Sequence, residues 1–170
     1  MEKKQTTAVT AGIILALILI VLALVTYFTG MYMQSWSQYI GFIIIVGGII
    51  WAVTNHGKEN EYTETFGQLF SYGFKVTAVI TCLMILYTLI SGFVFPEIKE
   101  KIIEAARTQA LKNPGANEDV IEQGMNMFSK NYNLFIILGI LFWYLLMGVI
   151  SSLIGAAITK KQPKNTFDQI

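Results

Sequence analysis

The sequence predicts an all-α integral membrane bundle of four transmembrane helices, and three observations predict it. No Asp, Glu, Lys or Arg occurs between Lys4 and Lys58, between Lys75 and Glu97, or between Lys130 and Lys160. These stretches are dense in Ile, Leu, Val and Phe, and a charged side chain at the centre of a bilayer is costly. The composition agrees: 54% of the 170 residues are apolar and 14% charged, against about a quarter charged in soluble domains. Three charge-free blocks and two dense polar segments describe one membrane domain over residues 1–170. The net charge of +1 gives no electrostatic case for nucleic acid.

The first block, Gln5 to Gly57, would reach roughly 80 Å as a single helix, far more than a hydrocarbon core of about 30 Å. It must fold back, and the polar, turn-prone stretch from Thr29 to Gln38 is where it can. Span one is therefore expected at 7–28 and span two at 39–54, with Thr54, Asn55 and His56 marking the exit. The apolar core from Ala8 to Phe28 is too long for a signal peptide and ends in no small-x-small site, so it reads as an uncleaved first span.

The segment Thr63 to Phe74 places Phe66, Leu69, Phe70 and Gly73 on one helical face. Thr65 with Gln68 three residues on has the form of a capping box. An interfacial helix is expected over 65–74, leading into span three at 76–95, with Lys75 at the join able to reach back to the headgroups. Pro96 then opens a polar segment with Glu97 near the positive end of a helix. Asn113-Pro114-Gly115 signals a turn and Asn117 can cap a second helix, so residues 97–130 are expected to form a helical hairpin. Span four follows at 132–159. Lys3, Lys4, Lys58, Lys75, Lys160, Lys161 and Lys164 flank one set of span ends, whereas the first turn holds no Lys or Arg. That bias predicts both termini in the cytoplasm and the hairpin outside. Tyr27, Phe28, Tyr32, Trp36, Tyr39, Phe93, Phe95 and Tyr132 would form an outer aromatic belt.

The polar groups each admit two readings. His56, the sole histidine, is followed by Glu59, Glu61 and Glu64. Imidazole and carboxylates can ligate metals, but no known ligand spacing is matched, and a solvated loop at the headgroups accounts for the cluster. Glu100 and Glu104 share a helical face near Lys101 and Arg107, which fits a solvated surface better than an acid/base pair. Tyr87, Trp143 and Tyr144 fall near span centres, where a hydroxyl or indole seeks a partner. They could line a pathway or a headgroup pocket; helix-to-helix packing is the plainer account. Gly148-x-x-x-Ser152-x-x-x-Ala156, with Ser151 and Gly155 beside it, and the pairs Gly48/Ala52 and Gly12/Ala16, let backbones approach closely. No charged residue lies in a span core, which argues against an ion-coupled transporter. Cys82 stands alone in an apolar run and can form no intrachain disulfide. No catalytic residue, cofactor site or metal site is expected.

The stretch TFGQLFSYGF (65–74) leading into span three, and GVISSLIGAA (148–157) followed by Lys160-Lys161, resemble the two signature regions of a bacterial membrane family catalogued as domain of unknown function number 4199. The resemblance covers nearly the whole chain and implies a small four-span protein of the bacterial inner membrane. It implies no activity. The residues favour a non-enzymatic membrane component that binds a partner, in the membrane or outside, through the hairpin or as a subunit. Two alternatives stay open: a homo-oligomeric carrier or channel for a neutral or apolar solute, and a lipid-modifying enzyme at the inner face using His56.

The topology is open to direct measurement. Cysteines placed at Gln34 and Asn113 should react with membrane-impermeant thiol reagents in whole cells, and one at Asn60 should not. The opposite labelling pattern would invert the orientation.

Overall fold

The computed structural model describes residues 5–31, 34–112, 115 and 117–160. Expectations that touch Lys3, Lys4, Tyr32, Asn113, Pro114, Lys161 and Lys164 lie outside those residues. Six α-helices follow in order: α1 (Ala8–Phe28), α2 (Ser35–Glu59), α3 (Phe66–Val94), α4 (Pro96–Leu111), α5 (Glu118–Lys130) and α6 (Tyr132–Ile158). Four of them are long and apolar enough to cross a membrane: α1, α2 from Tyr39, α3 and α6. The all-α, four-span expectation therefore holds, with two differences at the boundaries. The lead-in at 65–74 is helical but continues unbroken into span three as one 29-residue helix. Nothing between Phe66 and Val94 interrupts the backbone ladder, since glycine lowers helix stability without breaking it and proline is absent. Span two likewise continues five residues past Thr54. Asn55 to Glu59 are polar, but polarity ends a span and does not end a helix.

The helix ends are written in the sequence. The Thr7 hydroxyl accepts from Thr10 N–H and caps α1. At the other end Met31 N–H donates to Thr26 C=O and Gly30 N–H to Tyr27 C=O, with Gly30 at φ +72°. This is a Schellman closure, and glycine takes the left-handed position without strain. The Thr65 hydroxyl accepts from Gln68 N–H at the start of α3, while Thr65 N–H and its hydroxyl both donate to Gln68 Oε1. The capping box is formed as the spacing predicts.

Two compact units are built from these helices. The first comprises the described residues up to Leu83 and from Trp143 onward; the second is Met84–Phe142. In the first unit α1 buries Ala11, Gly12, Leu15, Ala16 and Leu19, a stripe at helical spacing. Its other face exposes Val9, Ile13, Ile14, Leu17, Ile18 and Val21, which is the surface a lipid solvent wants. Ile45, Ile49, Ala52 and Val53 of α2 and Leu69, Val76, Thr77 and Ile80 of α3 fill the centre. From α6 the buried side chains are small: Ser151, Ser152 and Ala156.

Small residues set the spacing between these helices. A Cβ added at Gly73 would stand 2.5 Å from Ser152 Oγ and 2.7 Å from Val53 Cγ2, and one at Gly155 would stand 2.9 Å from Val53 Cβ. Gly12 meets Val79 in the same way, Gly48 meets Leu15, and Gly148 meets Thr77. The small-residue stripe of α6 is thus used within the chain. The buried hydroxyls satisfy themselves on their own helices: Thr77 donates to Gly73 C=O (2.9 Å), Thr81 to Thr77 C=O (2.8 Å), Ser151 to Met147 C=O and Ser152 to Gly148 C=O (both 2.6 Å). None of these bonds needs a neighbouring helix.

The second unit holds the end of α3, the hairpin α4–α5 and the start of α6. Asn117 caps α5 by accepting from Asp119 N–H and Val120 N–H. Arg107 and Glu122 form a 2.6 Å ion pair across the hairpin. Ile102, Ile121, Met125 and Phe128 are half-buried, while Glu100 and Glu104 are exposed and form the solvated face the sequence suggests. Tyr132, expected in an outward aromatic belt, is instead buried. Phe128 meets it edge-on at 5.8 Å and Lys99 Nζ lies 5.4 Å from its ring centre.

The tight fit at Gly148 can be measured. Gly148→Ala would drive a Cβ into Thr77, a β-branched residue with little freedom at χ1, and should cost about 1–3 kcal/mol. Gly139→Ala has nothing within 4 Å of the new Cβ and should stabilise α6 slightly, by about 0.5–1 kcal/mol. Thermal unfolding in mild detergent should lower Tm for the first variant and not for the second.

Candidate functional site

At one end of the first unit four chain segments converge: the start of α1, the end of α2, the start of α3 and the end of α6. Gln5 Nε2 donates to Asn60 Oδ1 (2.8 Å). Thr159 at the end of α6 lies against Gly57, where an added Cβ would be 2.5 Å from its Cγ2. The charged residues that bound the spans, Lys58, Glu59, Glu61, Glu64 and Lys75, all belong to this end.

The end of α2 is the element that organises them. Its C-terminal turn carries His56 and Lys58, whose charge or donors suit the negative end of the helix. Tyr62 N–H donates to Gly57 C=O (2.8 Å) and Glu61 N–H to Lys58 C=O (3.1 Å), a second Schellman closure. Here the left-handed positions are taken by Glu61 (φ 55°) and Tyr62 (φ 61°). Two consecutive non-glycine residues in that region store backbone strain of about 1–2 kcal/mol each. The surrounding contacts hold them there.

Those contacts begin with Glu59. Its carboxylate accepts from Thr6 N–H (2.7 Å), the Thr6 hydroxyl (2.9 Å) and Asn55 Nδ2 (2.7 Å). The chain entering α1 is therefore tied to the end of α2. Tyr72 adds a second tie by donating its hydroxyl hydrogen to Thr6 C=O (3.0 Å). The Tyr72 ring lies flat on the His56 imidazole, with centroids 3.7 Å apart and planes 7° from parallel. His56 Nε2 stands 3.3 Å from Glu64 Oε2. That carboxylate oxygen is buried and accepts no well-aligned hydrogen bond among the described residues.

His56, Glu64 and Tyr72 also line an open groove of about 920 Å³ between the start of α1 and the exposed face of α3. Its polar lining residues include Gln5, Thr6, Glu64, Thr65, Gln68 and Ser71, and its apolar ones Ala8, Val9, Ala78 and Val79. Lys75 also lines it, and no carboxylate among the described residues lies within ion-pair distance of it. Val79 is also the residue that Gly12 packs against.

The sequence-derived candidates fare differently. His56 is at the site, but on a helix and 14% exposed in its side chain, not in a solvated loop. The cause is the helical continuation of α2 past Thr54 and the ring of Tyr72 laid over it. Gly148, Ser152 and Gly155 are packing residues buried in the first unit. Trp143 is half-exposed and meets Phe42 at 6.1 Å. Tyr144 in the first unit and Tyr87 in the second are half-buried, and neither lines the groove. Sequence reasoning missed Tyr72, Glu64 and Lys75 as groove residues. Tyr72 and Lys75 follow Gln68 at spacings of four and seven, a polar stripe on the amphipathic lead-in that was legible only as an interfacial face. Among the described residues no group of three or more His, Cys, Asp or Glu is arranged to hold a metal ion. No Ser, Thr or Cys among them hydrogen-bonds the imidazole.

Comparison with known proteins adds one finding. The model of the family described as "Protein of unknown function (DUF4199)" matches residues 10–161. No curated protein and no solved structure matches the chain.

The tie at Glu59 makes a measurable claim. Glu59→Ala would strip the acceptor from Thr6 N–H and Thr6 Oγ1 at a cost of about 1–3 kcal/mol. Hydrogen exchange in detergent should show faster exchange at Thr6 and the first turn of α1, with exchange in α5 unchanged.

Proposed function

The chain belongs to the DUF4199 family, and on that premise we propose that it is a non-enzymatic membrane component whose work is to bind an amphiphile, a lipid lodged between the start of α1 and α3. The observation that carries this reading is the groove itself. A cavity of about 920 Å³ lies in the range of sites that hold small ligands, about 300–1,000 Å³. Its lining combines polar and apolar side chains, as a molecule with a headgroup and a chain would require. The groove opens at the charged end of the spans, where headgroups lie.

The setting we propose is the bacterial inner membrane, with both termini cytoplasmic and the segment between spans three and four outside. Two features support it. Lysines collect at the span ends near the termini, and the start of α1 and the end of α6 meet at one end of the first unit, as an even number of crossings requires.

The other functional classes draw less support. The centre of the first unit is filled by Ile49, Val53, Val76, Thr77, Ile80, Ser151 and Ser152, each under 2% exposed. A carrier or channel would therefore need a path outside that core, such as one between copies. An enzyme acting through His56 draws no specific support from the imidazole's partners among the described residues, which are Tyr72, Glu64 and Asn60. The half-burial of the α4 and α5 apolar residues leaves a partner-binding hairpin resting on Leu111, Val120 and Met127, which stay exposed.

Ala78 is exposed and lines the groove, so Ala78→Trp should fill the groove without disturbing the core. Native mass spectrometry of the full chain released from detergent should show a retained lipid in the wild type and its loss in this variant. Ile90→Trp, at another lipid-facing position of α3 (Ile90 is 62% exposed), should retain it. Equal retention in wild type and Ala78→Trp would remove the reading.

A further inference from the structure

We infer that α5 is an interface between two copies of this chain, paired antiparallel through the stripe Val120, Gly124 and Met127. This goes beyond the lipid-binding reading and uses no residue of the groove. The 13 residues of α5 make a helix of about 20 Å, and it carries two apolar faces. Ile121, Met125 and Phe128 are half-buried within the second unit. Val120 and Met127 are 65% and 56% exposed, and a Cβ added at Gly124 would meet nothing within 4 Å. At about 100° per residue, Val120, Gly124 and Met127 fall within about 60° of arc. An open glycine between two exposed apolar side chains lets a second backbone come close.

Charge decides what covers the stripe. Asp119 stands in the first turn of α5 and Lys130 in the last. The two are eleven residues apart, which returns them to within about 20° of one another around the helix. Both therefore lie on one flank of the stripe. Both are exposed, and neither has an ion-pair partner among the described residues. A two-fold axis across an antiparallel helix pair sets each flank against the same flank of the second copy. With Val120 opposite Met127 of the second copy, Lys130 stands within about 3 Å, along the axis, of that copy's Asp119. Symmetry makes the contact twice. A parallel pair would set Asp119 beside Asp119 and Lys130 beside Lys130, and like charges repel. The helix is thus complementary to itself in one direction only.

The chain path permits the pairing. Asn131, at φ −112° and ψ 27°, departs from helical geometry, so α5 need not follow the direction of span four. Copies in one bilayer share a two-fold along its normal, and antiparallel pairing therefore lays α5 along the membrane surface with its charged flank toward water. A contact between helices this short sits at the low end of interface sizes, where charge placement decides register.

The experiment is thiol cross-linking of the full chain in reconstituted vesicles with a short bifunctional maleimide. Every variant carries Cys82→Ser, which removes the sole native cysteine. Gln123→Cys, beside the two-fold, should give a cross-linked dimer well above Val21→Cys, at an exposed position of α1 (58% exposed). Chains with Asp119→Cys and chains with Lys130→Cys, tagged differently and mixed, should cross-link to one another, whereas Asp119→Cys should not cross-link to itself. In the Gln123→Cys chain, Asp119→Lys or Lys130→Asp alone should lower the dimer yield about fivefold, and the two together should restore it. Both swaps oppose the dipole of α5, so restoration cannot come from a firmer helix. A Gln123→Cys yield no higher than that of Val21→Cys would overturn the inference, leaving the stripe to lipid or to another protein. Cross-linking of Asp119→Cys to itself would overturn it by making the pair parallel. A double swap as poor as the single ones, with Tm unchanged, would overturn it by separating the charges. Should the double swap lower Tm, the mixed cross-link between Asp119→Cys and Lys130→Cys decides alone.

Discussion

Inside lipid the hydrophobic effect gives helices no reason to prefer one another to acyl chains, so the first unit depends on how closely its backbones can approach. Six glycines mark the contacts: Gly12 against Val79, Gly48 against Leu15, Gly57 against Thr159, Gly73 against Ser152 and Val53, Gly148 against Thr77, and Gly155 against Val53. Val53 is the knob shared by α3 and α6, which is why it is fully buried. Dispersion at such distances is small per atom pair and large in sum. Because the buried hydroxyls bond to their own helices, the core asks for shape alone and leaves no polar atom waiting for a partner across the interface.

That economy moves the directed interactions to one end. Polar groups that cannot be accommodated among the spans collect where α1 begins and α2 ends, and there they act on each other. Glu59 holds the entry of α1, Tyr72 holds the same residue from α3 and covers His56, and His56 faces Glu64. The groove is a by-product of this convergence. The start of α1 is pulled toward α2 by Glu59, which leaves the outer face of α3 from Gln68 to Val79 uncovered down to the contact at Gly12.

Much of the fold was legible because lipid imposes a coarse rule. Absence of charge located all four spans, the Thr65–Gln68 spacing located the start of α3, and the small residues of α6 located its buried face. Boundaries were less legible where the membrane edge and the helix end part company: the hydropathy of α2 fades at Thr54, yet its backbone has no reason to stop before Asn60. The site was legible only as a lone histidine among glutamates. Tyr72 stacks on a residue sixteen positions away, and Glu59 binds one fifty-three positions away. Neither pairing leaves a periodic trace, because it is made by tertiary convergence and not by local spacing. Tyr87, Trp143 and Tyr144 drew attention for their depth in the spans, but half-buried rings facing lipid or a neighbouring helix need no functional reason.

The Glu59 carboxylate gripping Thr6 has a bearing on how the protein is made. The two partners bracket α1 and α2, so this pair of helices can be latched before the helices that follow it are made. The strained turn at Glu61 and Tyr62 then points a chain already anchored at its beginning toward the next crossing. The last helix brings little bulk of its own to these contacts, its buried side chains in the first unit being Ser151, Ser152 and Ala156.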